Sequence, residues 1–135
     1  MPRITRIIPL LVYDDIPAAH DFLVKAFGFT PGGVYNSKEG QPVHAEVYAG
    51  DLTIWIHRVT AEHDLASQQS MGSSSSGLVV HVDDVDAHYE RVRAYGAHIE
   101  SEPQDTDYGQ REYGVRDPEG HRWWFATPLT QSARV

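Results

Sequence analysis

The sequence predicts an α+β chain built from two copies of one βαβββ module. Three observations carry that prediction. The chain has 135 residues, 41% hydrophobic and 22% charged, which suits one globular domain and excludes a disordered polypeptide. Its apolar runs alternate between β and helical periods in the same order twice. Three landmarks also recur at nearly one spacing: Asp15-Ile16 with Asp84-Val85 at a shift of 69, Phe27-Gly28-Phe29 with Tyr95-Gly96-Ala97 at 68, and Gly50-Asp51-Leu52-Thr53-Ile54 with Gly120-His121-Arg122-Trp123-Trp124 at 70. Each match is weak alone, and their common order gives them weight.

The elements follow in sequence. Residues 6–13 are apolar and β-rich and read as a buried strand. Asp14 or Asp15 can cap a helix that tolerates Pro17 in its first turn. Ile16, Ala19, Phe22, Leu23, Ala26 and Phe27 recur at helical spacing, and Gly28 suits the left-handed residue that closes such a helix. Strands at 30–36, 42–49 and 52–58 follow, separated by turns at Lys38-Glu39-Gly40 and Gly50-Asp51. The second half repeats this order, with a strand at 77–82 and a helix marked by Val85, His88/Tyr89, Val92 and Tyr95 and closed by Gly96. Strands at 97–102, 111–116 and 121–127 complete it, the last preceded by the strong turn Asp117-Pro118-Glu119-Gly120. Gln68-Gln69 and the four serines 73–76 make the segment between the halves read as a flexible linker. One domain is therefore expected over 1–135: module 1 at about 4–58, a linker at 59–76, module 2 at about 77–127 and a tail at 128–135. A module of about 60 residues has one apolar sheet face and needs a partner to cover it.

Composition removes several function classes. No run approaches the roughly 20 apolar residues of a membrane span, and no leader is read at the start. The absence of cysteine excludes disulfides, a thiol nucleophile and a thiolate metal site, with the cytoplasm as the default location. With 11 Lys+Arg against 19 Asp+Glu, the net charge of −8 disfavours nucleic acid. That acidity either favours a cationic ligand or serves solubility alone. No nucleophile constellation, phosphate-binding glycine loop or dinucleotide motif is present.

The doubled module, with Val82-Asp83-Asp84-Val85-Asp86-Ala87 before its second helix, resembles the vicinal oxygen chelate superfamily of glyoxalases, bleomycin-resistance proteins and extradiol dioxygenases. Tyr108-Gly109-Gln110-Arg111, Val115-Arg116-Asp117-Pro118-Glu119-Gly120-His121-Arg122-Trp123, and His44-Ala45-Glu46 followed by Gly50-Asp51 carry the rest of the resemblance, which spans about 4–127. It implies two curved mixed sheets around a cavity, and a homodimer with cavities near the subunit boundary. In metal-dependent members, ligands come from the first and last strands of each module. The resemblance places those positions at Ile8, Gly77, Ile54 and Trp124, none of which ligates through its side chain. A shift of one residue finds only Ile7, Pro9, Thr53, Trp55, Trp123 or Phe125 beside Ile8, Ile54 and Trp124. The resemblance therefore points to the metal-free, bleomycin-resistance-like branch, with no metal and no cofactor.

Strand alternation puts Arg122, Trp124 and Ala126 on one face of the last strand and Trp123 and Phe125 on the other. Trp124 is read toward the cavity and Trp123 toward the helix. The expected ligand-binding residues are Trp124, Arg122, Ile54, Ile56, Ile8, Leu10, Val79 and His81. Their ligand would be a planar or aromatic small molecule, such as an antibiotic or secondary metabolite, held by burial and stacking. An alternative is a glyoxalase-like lyase or related enzyme using His44, Glu46 and His81 as an acid–base or metal cluster; a plain hydrogen-bonded pair is the simpler account of these residues. His20 and His88 are expected at the surface of their helices.

Overall fold

Both helices of the repeat begin at an aspartate. Asp15 accepts a hydrogen bond from the Ala18 amide and Asp84 from the Ala87 amide, each at 3.1 Å, satisfying amides that the first helical turn leaves unpaired. The computed structural model describes residues 2–129, so most of the expected tail at 128–135 lies outside the described residues. Its elements are β1 (Leu10–Val12), α1 (Ile16–Lys25), β2 (Thr30–Asn36), β3 (Pro42–Ala49), β4 (Leu52–His57), α2 (Gln68–Met71), β5 (Gly77–His81), α3 (Val85–Tyr95), β6 (His98–Asp105), β7 (Gln110–Arg116) and β8 (Arg122–Pro128). The strand order β1-β4-β3-β2 is repeated as β5-β8-β7-β6. The outer pairs β1–β4 and β5–β8 are parallel and the others antiparallel. This is the predicted α+β repeat of two βαβββ modules with mixed sheets. Among the described residues no helix is long and apolar enough to cross a membrane.

One face of each sheet packs on its helix. Ala45, Val47, Ile54 and Ile56 are buried on the first sheet, and Tyr113, Val115, Trp123 and Phe125 on the second. The two layers merge at Phe27, whose ring centroid lies 5.2 Å from that of Trp123 and 4.8 Å from that of Phe125. Burying one such side chain contributes about 1.5–3 kcal/mol, so the shared core is what joins the modules.

Three expectations need correction. The first strand is expected over 6–13, but β1 holds only Leu10–Val12. The Trp55 amide bonds to the Pro9 carbonyl at 2.9 Å; Pro9 itself has no N–H to continue the ladder, and Ile4 and Ile7 stay exposed. The linker contains a 3-10 turn at Ala61–His63 and the short helix α2, capped by the buried Ser67 hydroxyl. Nor is His88 a free surface residue. Its Nε2 lies 2.8 Å from the Phe27 carbonyl, its Nδ1 2.7 Å from the Tyr113 hydroxyl, and its ring against Phe125. A neutral imidazole fits both partners, with Nε2–H donating to the carbonyl and Nδ1 accepting from the phenol. His20 is also engaged, with its Nε2 3.1 Å from the Gly32 carbonyl.

Candidate functional site

The sheet faces turned away from the helices carry Tyr35, His44, Glu46, Tyr48 and Trp55 on the first sheet and Arg122 and Trp124 on the second. Pairing fixes which residues these are. Trp55 stands opposite Leu10 and Glu46, and Trp124 opposite Val79 and Gly114. Trp55 is therefore the first-module counterpart of Trp124, at a shift of 69. Aligning the turn glycines instead gives 70 and selects Ile54, which belongs with Ile56 to the helix-packed core. The turns differ in length: Gly50-Asp51 joins β3 to β4 with two residues, whereas residues 117–121 join β7 to β8 with five. Ile54 and Ile56 thus leave the face shared by Trp124. Its corrected counterpart, Trp55, offers no metal-ligating atom either.

Trp124 lies across its own sheet. A Cβ on Gly77 would meet the Trp124 ring at 2.4 Å, and one on Gly114 would come within 3.3 Å of its Nε1. Two glycines on the flanking strands therefore let the indole lie flat, and the ring fills the space a side chain at 77 would need. The Arg122 guanidinium stands 4.9 Å from the ring centroid, a cation–π distance. Its Nη2 pairs with Glu100 at 2.9 Å, and Arg116 holds the same carboxylate at 2.7 Å. Desolvation opposes ionisation of Glu100, but the two guanidiniums outweigh it and hold the carboxyl below its usual range. Arg122 Nε is buried without a partner among the described residues. A cavity of about 220 Å³ opens here, lined by Leu10, Gly77 and Arg122. Ile8, half-buried, lines neither this cavity nor the larger one below.

On the first sheet, His44 Nε2 lies 3.2 Å from Glu46 Oε2, and the Tyr48 hydroxyl donates to Glu46 Oε1 at 3.3 Å. Tyr35 stacks on the His44 ring and Trp55 meets it edge-on. His81 does not join them; it bonds to Gln110 on the second sheet at 3.1 Å. Among the described residues no three His, Asp or Glu side chains converge as a metal site requires. The sequence left the faces of Tyr48, Tyr108, Arg111 and Tyr113 open. Tyr48 is on this outer face, Tyr113 is core, Arg111 pairs with Asp86 of α3, and Tyr108 donates to Glu112.

Sequence reasoning missed what the turn Asp117-Pro118-Glu119-Gly120 does. Asp117 Oδ2 accepts from the Tyr13 hydroxyl and from Trp123 Nε1, while Oδ1 accepts from the Glu119 and His121 amides. Burial and the Asp117 charge push the Tyr13 phenol well up from its usual range. Glu119 receives the Asp14 and Asp15 amides at 2.7 and 2.8 Å, clamping the start of α1 from the other module. The corresponding place between the β3–β4 turn and the end of β5 is empty. There a cavity of about 560 Å³ opens, within the usual range for small-molecule sites. Phe29, Ile54, Leu78 and Val80 line it, with Val79, His81, His88 and Arg91. The eight expected ligand residues therefore divide: Ile54, Val79 and His81 reach this cavity, and Leu10 and Arg122 the smaller one. Trp124 stands on the open face beside the smaller cavity.

Comparison with known proteins sets this geometry in a family. Residues 3–125 match the family model described as Glyoxalase/Bleomycin resistance protein/Dioxygenase superfamily. The chain is 31% identical over 128 residues to the uncharacterized protein Mb0911c of Mycobacterium bovis, covering 91% of this chain and 83% of that one. The crystal structure of TioX from Micromonospora sp. ML1 superposes with a TM-score of 0.74 at 32% identity, covering 93% of this chain and 99% of TioX. TnmS3, an antibiotic binding protein from Streptomyces sp. CB03234, shares the fold with a TM-score of 0.76 at 22% identity, covering 95% and 98%.

Proposed function

The chain belongs to the Glyoxalase/Bleomycin resistance protein/Dioxygenase superfamily, and from that premise we propose that it is a metal-free protein that sequesters a planar small molecule, such as an antibiotic or secondary metabolite. The single observation that carries this reading is the Trp124 indole lying flat over Gly77 and Gly114 with the Arg122 guanidinium 4.9 Å from its ring centroid. The indole takes up the space at 77 and 124, two positions where the family resemblance would place metal ligands, and it offers a stacking surface instead. TnmS3 illustrates that the fold can hold an antibiotic. A cavity of about 220 Å³ is small for a drug-sized ligand. Val79 is 57% and Leu10 39% exposed on the same face, which supports a homodimer in which a second copy supplies the remaining wall.

Titration of intrinsic tryptophan fluorescence with bleomycin and a panel of planar antibiotics tests the reading. Trp124→Ala is expected to weaken binding of any ligand found by about 1–3 kcal/mol while leaving the fold intact. Elemental analysis is expected to find no stoichiometric zinc, nickel, manganese or iron. About one metal per chain, lost in His44→Ala or Glu46→Ala, would overturn the metal-free reading and leave the enzymatic alternative, which the His44–Glu46 contact of 3.2 Å favours, to be scored by turnover. Light scattering at micromolar concentration separates the dimer from a monomer.

A further inference from the structure

The larger cavity has no carboxylate in its lining, although the chain carries 19 Asp+Glu against 11 Lys+Arg. Its ionisable groups are Tyr48, His81, His88 and Arg91. Tyr48 donates to Glu46, and His88 is held neutral between Phe27 and Tyr113, so neither offers a free charge. Arg91 does. Its guanidinium lies over Gly28, where a Cβ would come 2.9 Å from Nη1, and Gly28 itself sits at φ +85, a backbone conformation that favours glycine. One N–H of Arg91 donates to the Lys25 carbonyl at 3.2 Å, anchoring the fork at the end of α1. Among the described residues Arg91 makes no ion pair, whereas Arg93, Arg111, Arg116 and Arg122 each hold a carboxylate.

We propose that this intermodule cavity is a second ligand site, and that it takes an apolar monocarboxylate whose hydrocarbon body lies against Phe29, Ile54, Leu78 and Val80 and whose carboxylate meets Arg91. The site is independent of the Trp124 platform. Apolar walls supply burial, and the anchored guanidinium supplies orientation, because its remaining N–H groups present the donor pair that a carboxylate accepts. A cationic ligand would find no counter-charge in the wall. Leu52, 58% exposed at the rim, marks a place where the entrance can be closed without disturbing the core.

Displacement of 1-anilinonaphthalene-8-sulfonate, followed by fluorescence, tests the proposal. Decanoate and 1-naphthoate separate a fatty from an aromatic source of the carboxylate, and decanol and decyltrimethylammonium control for charge. At least one carboxylate is expected to displace the dye, and the ammonium is not. Arg91→Gln should weaken that carboxylate by at least about tenfold while changing decanol by less than about threefold. Leu52→Trp should weaken carboxylate and decanol alike, and Trp124→Ala should change neither. Failure of both carboxylates at millimolar concentration, equal binding of the ammonium, or an Arg91→Gln protein that binds as the parent does would overturn it. Loss of carboxylate binding in a folded Trp124→Ala protein would move the ligand to the open sheet face and also overturn it. Since the Trp124 reading is scored by antibiotic titration, either can fail while the other stands.

Discussion

The β3–β4 and β7–β8 turns occupy corresponding places in the two modules, yet one leaves a hole and the other closes a joint. Residues 117–121 bring Asp117 and Glu119 to Tyr13, Asp14 and Asp15. Gly50-Asp51 stops short of the end of β5, and the cavity of about 560 Å³ lies in the gap. Three residues of turn length therefore decide whether a module boundary is welded or hollow. A repeated fold can keep its sheets and helices while its loops divide structural and binding work between the halves.

The strongest way to test that division is to unbalance the cores. Trp123→Ala, at a fully buried site facing Phe27, is expected to cost about 3–5 kcal/mol in denaturant unfolding. Trp55→Ala, on the half-buried outer face of the first sheet, should cost distinctly less. Equal losses would mean that the outer face is as much core as the inner one. Next comes the joint itself. Glu119→Ala removes both acceptors from the start of α1 and should cost about 1–3 kcal/mol, against under about 0.5 kcal/mol for Asp51→Ala in the short turn. Tyr13→Phe should cost about 1 kcal/mol by removing one of four bonds to Asp117. An effect at Asp51 matching that at Glu119 would break the comparison.

The smallest expected effect is a pH dependence centred on His88. Burial is the main cause lowering its pKa from 6.5, and the Arg91 charge adds to it against the Phe27 carbonyl. The unfolded chain then binds the proton more readily than the folded one. The stability contributed by neutral His88 is complete above about pH 6.5 and declines as pH falls from there toward the lowered folded value. His88→Gln should flatten that part of the urea-unfolding profile. His57 is lowered too, chiefly by burial and then by His44, so the double variant with His57→Gln should flatten it further.

Most of the fold was legible in the sequence because local signals agree with it. Asp15, one of the two caps the sequence offered, begins α1, its repeat counterpart Asp84 begins α3, and Gly96 ends α3 at φ +98 as a left-handed residue should. Alternation placed Trp123 and Trp124 on opposite faces because β8 has no bulge in its pairing with β7. Ile54 was misplaced because two turn glycines looked equivalent while their loops differ in length. The role of His88 was hidden for another reason: the Phe27 carbonyl and the Tyr113 hydroxyl come from elements 61 and 25 residues away. The joint at Asp117 and Glu119 shares that cause, since a turn motif announces its own bend and not its distant partners.

Those distant partners also set an order in time. Tyr13 and Asp117 are 104 residues apart in the chain. At a synthesis rate of roughly 5–20 residues per second, that interval is about 5–20 s. Throughout it the Asp14 and Asp15 amides lack the Glu119 carboxylate, and Phe27 lacks Trp123 and Phe125. The first module therefore waits on the ribosome with its helix start unclamped and its aromatic side bare. The strand that covers it, β8, emerges only after every other strand described.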